Sequence, residues 1–232
     1  MKKIIQIVMA LCLLPLFSLS QWQWGKQFGG NSFNAPHDVP LSLLTDGNNS
    51  FTIGFYGGPL HMPDDTLPSN GINQIFITKF NTSGTQIWAQ SLGGNYNQFL
   101  DYEYGEGVID NNSNSIFLTG IVIGDVSFGG ITSYSSSGLG DIFLTKMDLN
   151  GNYVWVDRII TSGKIYPKYL SVLWKIYLIT QTEDSSQFGN FNLPPEVGII
   201  QYDTAGNCLS AEYYTPSQQP SLIIKYVRFI RK

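Results

Sequence analysis

The residues that could do chemistry in this chain are few and scattered. Asp148, Asn150 and Asn152 stand at alternate positions, a D-x-N-x-N spacing that can offer oxygens to a calcium ion. The complete twelve-residue loop ends on a bidentate acid, and position 159 is Ile, so a hairpin turn accounts for the three residues better. Asp64-Asp65 and Asp101-x-Glu103 are acidic pairs on expected loops. Two carboxyls flanking a bond could run glycoside hydrolysis, but only if they face each other across a cleft; solvated loop charge is their ordinary role. His37 and His61 are the only histidines, and neither has a partner four residues away or a serine elbow, so no nucleophile–base triad is expected. Cys208 follows Gly206-Asn207 on an expected strand and reads as a small core residue. Trp22, Trp24, Trp88 and Trp155 could stack on sugars, but their place in a repeat favours packing. Gly29-Gly30 and Gly93-Gly94 lack the helix and Lys-Ser/Thr of a phosphate cradle. No catalytic, cofactor-binding or metal-ligating residue is assigned, and the chain is expected not to be an enzyme.

The elements that would position such residues are read from composition first. The 232 residues are 43% hydrophobic and 14% aromatic but only 13% charged, which excludes a disordered chain. Two cysteines make neither a disulfide scaffold nor a thiolate cluster. A net charge of −4 argues against a nucleic-acid partner. Abundant Gly, Asn, Ser, Thr and aromatics point to an all-β fold.

Residues 1–20 read as a signal peptide. Lys2 and Lys3 precede an apolar run from Ile4 to Leu19, too short to span a membrane comfortably, and Ser18 and Ser20 take the small positions before a cut at Gln21. Removing it leaves 11 Lys and Arg against 17 Asp and Glu, and Cys208 as the sole cysteine. The mature chain is expected to be secreted or held at the cell surface, with no membrane span.

A repeat dominates the rest. Trp24-Gly25-Lys26-Gln27-Phe28-Gly29-Gly30 returns 64 residues later as Trp88-Ala89-Gln90-Ser91-Leu92-Gly93-Gly94. Gly84-Thr85-Gln86-Ile87-Trp88 returns after 67 as Gly151-Asn152-Tyr153-Val154-Trp155, and more weakly as Gly206-Asn207-Cys208-Leu209-Ser210. Gln74 to Phe80 matches Asp141 to Met147 and Val197 to Asp203; Ser50 to Phe55 matches Ile116 to Ile121 and Lys175 to Thr180. Each unit reads as four short strands, in the second unit Gly107 to Asp110, Ser115 to Ile121, Asp141 to Asp148 and Tyr153 to Ile159. Asn81, Asp148 and Asp203, each followed three residues later by Gly, predict turns closed by a glycine of positive φ. Tyr56 to Asn73 and Val122 to Gly140, rich in Gly, Ser and Pro, are expected to be long loops projecting as a binding face.

Four-stranded antiparallel units repeated along a chain point to a β-propeller-like array of about three blades, at 41–92, 107–159 and 168–214, preceded by a strand at 22–28. A closed ring needs more blades, so an open fan or a fragment of a larger propeller is expected. Residues 215–232 read as an irregular tail with a possible strand at 222–230.

The run of Trp and Gly-Gly, an Asp-turn-Asn, a strand ending Thr-Gly, Phe-Gly, Asp-Ile-Phe-Leu-Thr-Lys and Gly-Asn-x-x-Trp resembles the SBBP-type seven-bladed β-propeller repeat over Trp22 to about Tyr214. The resemblance implies an exported bacterial surface or adhesion-like module with no shared catalytic residues. The expected role is therefore non-catalytic binding of a surface protein, a glycan or another copy through the long loops, without a cofactor. The alternatives are a propeller glycan hydrolase or lyase using Asp64, Asp65, Asp101 or Glu103, and a truncated gene remnant.

Overall fold

The computed structural model describes residues 24–30, 38–69, 74–92, 105–161 and 163–214, and among them the fold is all-β with antiparallel sheets. The first unit opens with β1 (Val39–Thr45) and β2 (Asn49–Tyr56). A small hairpin follows, β3 (Leu60–His61) and β4 (Thr66–Leu67), before β5 (Gln74–Asn81) and β6 (Gln86–Leu92) complete a sheet ordered β1-β2-β5-β6. The second unit is β7 (Gly105–Asp110), β8 (Ser115–Phe128), β9 (Thr132–Asp148) and β10 (Tyr153–Thr161). The third is β11 (Ile165–Val172), β12 (Ile176–Thr182), a hairpin of β13 (Ser186–Phe188) and β14 (Phe191–Leu193), then β15 (Val197–Tyr202) and β16 (Cys208–Tyr214). Its main sheet runs β11-β12-β15-β16, while the β13–β14 hairpin joins β10 and extends the middle sheet to six strands. Residues 1–20, expected to be a signal peptide, and 215–232, expected to be a tail, lie outside the described residues.

The middle strands are covered on both faces, which is why they read as unbroken apolar runs rather than as alternation. In β8, Ile116 and Leu118 enter one core and Phe117 the next; in β9, Phe143 and Met147 enter the first of these, Ile142 and Leu144 the second. One core joins the first unit to the second through Phe51, Ile53 and Ile77. Another joins the second to the third through Ile159, Leu178 and Ile200. A smaller core of Tyr56, Leu60, Met62, Leu67 and Phe76 lies against Phe28 of the N-terminal segment. Each fully buried Phe, Ile or Leu contributes about 1.5–3 kcal/mol, so these cores hold successive units together.

The expected hairpin turns are present. The amides of Gly84, Gly151 and Gly206 donate to the carbonyls of Asn81, Asp148 and Asp203, and the three glycines have φ of +75°, +91° and +95°.

One of the two expected long loops is not a loop. Val122 to Gly140 belongs almost wholly to β8 and β9, which continue as a two-stranded ribbon from Gly124 opposite Ser136 to Phe128 opposite Thr132. A register shift between Val122 and Gly124, with Gly124 and Gly140 at positive φ, bends the ribbon back over its own sheet. Val126 and Phe128 are buried there, and the Phe128 ring lies 5.4 Å from Phe143 and 5.5 Å from Tyr153. In the first unit the β3–β4 hairpin occupies the corresponding stretch, and in the third the β13–β14 hairpin does. Small residues read as loop, yet glycine kinks and a buried Val-x-Phe alternation make a folded strap.

Residues 24–28 are likewise not in a strand; Gly29 makes a single antiparallel bridge to His61. The bridge matches the pairing of β10 with β13, since both tie the end of one unit to the hairpin of the next.

One substitution pattern crosses strands. Gly54 stands opposite Phe76 and Gly120 opposite Phe143, each glycine lying so close to the ring that a Cβ would collide with it. In the third unit the pair is inverted: Thr180 stands opposite Gly198, and Leu193 occupies space beside the glycine. Volume is kept while its owner changes strand.

Candidate functional site

The residues singled out by type separate into those spent on structure and those left at the surface. Trp24, Trp88 and Trp155 belong to the first group. Trp88 donates its indole N–H to the carbonyl of Leu149 at 3.2 Å, and Trp155 donates to Thr204 at 3.2 Å. Trp24 does the same to Thr82 at 2.9 Å. Each acceptor is the second residue of a β-turn in the following unit, so every tryptophan latches one unit onto the next. The turn glycines fit beneath: a Cβ on Gly84 would come within 2.6 Å of Trp24, and one on Gly206 within 2.8 Å of Trp155. Lys79 and Lys146 reach the same carbonyls, Leu149 at 2.8 Å and Thr204 at 3.5 Å, passing over the rings of Phe51 and Phe117. Opposite each other in the ladder are Lys79 and Trp88, Lys146 and Trp155; the third unit places Gln201 opposite Ser210 there.

Asp148, Asn150 and Asn152 form the turn itself. One oxygen of Asp148 accepts from the amides of Asn150 and Asn152, and the other accepts from the Asn152 side chain. Asp203 repeats this with Ala205 and Asn207, and Asp46 with Asn48 and Asn49. Burial opposes the charge of Asp46 and Asp148, but these hydrogen bonds outweigh it and hold both carboxyls below the usual range. For Asp203 the Asn207 side chain leads, with the same result. Both oxygens of Asp148, the one carboxylate of that spacing, are thus spent on its own turn.

Two further carboxylates have structural partners, Asp141 buried and Asp157 half-buried. Asp141 pairs with Arg158 at 2.7 Å, and Arg158 also donates to the Ser135 carbonyl and lies over the Tyr134 ring, fastening the folded-back ribbon to β10. Asp157 accepts from the Tyr202 hydroxyl at 2.8 Å. Burial raises the Asp157 carboxyl despite that bond, and burial together with Asp157 pushes the Cys208 thiol up to about 11. Cys208 packs partly buried against the core that joins the second unit to the third, as a small apolar residue does.

Asp64 and Asp65 lie exposed at the β3–β4 turn, where Asp65 caps the amide of Thr66, and His61 meets the Thr66 hydroxyl at 3.2 Å. Asp101, Glu103, His37 and Trp22 lie outside the described residues. A cleft of about 280 Å³ beside the first unit is lined by Phe28, Phe76, Val39 and Pro40, with Lys26 and Asp38 among its polar residues; Asp38 accepts from the Gly30 amide.

Sequence reasoning missed the outward side of each fourth strand. The ladder shifts register at Trp88, Trp155 and Ser210, leaving Ile87, Val154 and Leu209 as the unpaired residues of three equivalent bulges. They are 50%, 52% and 41% exposed. A bulge re-aims side chains, so one local kink sends the tryptophan to the neighbouring unit and the aliphatic residue to solvent. The signal was available: an aliphatic residue precedes the Trp register position in all three units. Neither a family model nor a curated protein matches the chain.

Proposed function

We propose that this chain is an exported, non-catalytic repeat module whose units stand as propeller-like blades and that it binds a partner at the cell surface. The resemblance to SBBP-type repeats supports the arrangement, as does the close approach of the first strands β1, β7 and β11. In a propeller the first strands crowd the axis.

The observation that carries the binding role is the triple bulge. Ile87, Val154 and Leu209 repeat an exposed aliphatic residue at one register of the fourth strands β6, β10 and β16, β10 being paired with β13 only at its far end. Outer strands with apolar residues are an aggregation hazard, which natural sheets usually blunt with charge. The bulges blunt strand pairing at these places, so the repeated apolar side chains fit side-chain docking of a partner, with several weak contacts acting together. The inserted segments, which pack into the cores, contribute through their turns, among them Asp64, Asp65 and Ile131, rather than as free loops.

The test is retention of the labelled chain on the surface of cells stripped of exported proteins. The triple variant Ile87→Ser, Val154→Ser, Leu209→Ser is expected to bind about tenfold more weakly with unchanged melting. Absence of retention by the unaltered chain, or its release of sugars from the surface, contradicts the reading.

A further inference from the structure

Across each sheet one row of residues faces the preceding unit. In the second unit the ladder places Gly107 beside Leu118, Leu118 beside Thr145 and Thr145 beside Val156. The same register holds Leu170, Leu178, Ile200 and Ala211 in the third unit, and Leu43, Thr52, Thr78 and Ala89 in the first. Both later rows are covered by the unit before. Leu118 is 1% exposed, and a Cβ on Gly107 would collide with Ile53 and come within 3.4 Å of Leu44. Leu170 is 6% exposed and shares a core with Val108 of β7 and Phe117 of β8. In the first unit, residues 24–30 cover the β5–β6 half of the row, where Phe28 packs beside Ala89 and its ring lies 5.7 Å from that of Phe76. At the other end Leu43 is 75% exposed. Its neighbour Leu44 packs towards the second unit, so strand alternation points Leu43 the opposite way.

We propose that this open half-face and residues 24–30 together form a docking site for a sheet of the same repeat kind, carried by another polypeptide and lacking its own fourth strand. Residues 24–30 already hold the place of a preceding unit's fourth strand. Trp24 donates to Thr82 as Trp88 does to Leu149 and Trp155 to Thr204, and Gly29 bridges His61 as Thr161 pairs with Ser186. Yet residues 24–28 join no sheet, and Gly25, Lys26 and Gln27 are exposed, which leaves an edge for a third strand to pair with. The two covered rows define what the open one takes. Gly107 is met by side chains of β1 and β2, and Leu170 by those of β7 and β8, so a first and a second strand do the covering. Such a pair, bearing aliphatic and aromatic side chains, suits Leu43 and the cleft of about 280 Å³ between Phe28 and Val39. An intact second copy of this chain does not meet the requirement, because β5, β9 and β15 are each paired with their own fourth strand. The site is separate from the bulges on the fourth strands, and the inference stands independently of the binding role.

The experiment supplies such a sheet by tandem duplication. Residues 24–87, one 64-residue repeat that stops short of its fourth-strand Trp, are inserted a second time between Gln23 and Trp24 of the full chain, so that Trp24 follows Ile87 as Trp88 ordinarily does. Leu43→Cys is introduced in the original first unit, with Cys12→Ser and Cys208→Ser in every protein, and its thiol is labelled in the folded state. Labelling should be at least about tenfold slower in the duplicated chain than in the parent, and the same substitution in the inserted copy should label at the parent's fast rate. Equal labelling of Leu43→Cys with and without the insertion would overturn the inference. So would a parent chain that is dimeric with the Leu43→Cys thiol already protected, since a second copy then holds the face. Should the duplicated chain fail to fold, residues 24–87 added in excess as a separate polypeptide decide: protection of Leu43→Cys supports docking, and unchanged labelling contradicts it.

Discussion

Trp88 in β6 and Leu149 in the β9–β10 turn belong to successive units, and the indole N–H of one meets the carbonyl of the other at 3.2 Å. The same carbonyl accepts from Lys79 at 2.8 Å, so a single turn oxygen receives two donors from the preceding sheet. Trp155 and Lys146 repeat the arrangement on Thr204.

Two donors on one oxygen make their losses unequal to the sum of parts. Trp88→Phe keeps a ring and Lys79→Met keeps a stem, and each alone is expected to cost about 1–2 kcal/mol because the other donor remains. Together they orphan a part-buried carbonyl, and the double variant should lose about 1 kcal/mol more than the two singles added. Urea unfolding of the four proteins measures the difference.

The turn glycines separate two demands that usually coincide. Gly47 has φ of +89° with open space around its Cβ position, whereas Gly206 has φ of +95° and the Trp155 ring in the way. Gly47→Ala should cost about 1–2 kcal/mol, the conformational penalty alone. Gly206→Ala should cost clearly more, and pairing it with Trp155→Ala should recover part of the excess. Thermal unfolding of the three variants tests this.

The inverted pair in the third unit predicts coupling in the second. Gly120→Thr drives a side chain into Phe143 and Ile75, and Phe143→Gly opens a cavity costing about 3–5 kcal/mol. Combined, the two changes should be less damaging than their sum by about 1–3 kcal/mol. Recovery stays partial, because Leu193 fills the corresponding gap beside Gly198. A double-mutant cycle by denaturant titration gives the value.

The buried and capping carboxyls give stability opposite pH dependences. Asp46, Asp148 and Asp203 are held below their ordinary values in the fold, so their contribution is complete above the ordinary carboxyl pKa, about 4, and is lost as pH falls through the folded values. Asp157 is raised, so its charged form weakens the fold as pH climbs from the ordinary value through the folded one. Asn at positions 46, 148 and 203 should flatten the acid limb of stability. Asp157→Asn, which still accepts from Tyr202, should stabilise most at neutral pH and not at all in acid. Urea midpoints between pH 2.5 and 7 distinguish the two.

Much of this fold was legible because local chemistry announces it. Asn81, Asp148 and Asp203 with their glycines marked turns, and the runs around Phe51, Phe117 and Tyr177 marked strands. The ribbon from Gly124 to Ser136 was not legible, since Gly and Ser there signal loops while burial of Val126 and Phe128 depends on a bend that composition does not record. The Trp latch escaped for another reason. Its acceptors are the backbone carbonyls of Thr82, Leu149 and Thr204, and a backbone carbonyl leaves no mark in residue type, so the repeated turns announce themselves as turns but not as acceptors. The outward Ile87, Val154 and Leu209 were visible as types but gained meaning only from the bulge that turns them out.

The latch is the central claim, and exchange of the indole N–H protons with solvent tests it most directly. Trp88 and Trp155 donate to turn carbonyls, while Trp174 at the β11–β12 turn is 69% exposed and serves as the internal reference. Two-dimensional nitrogen–proton spectra after transfer to heavy water should keep the Trp88 and Trp155 indole signals long after that of Trp174 has gone. Loss of the Trp88 and Trp155 signals at the rate of Trp174 would contradict the account.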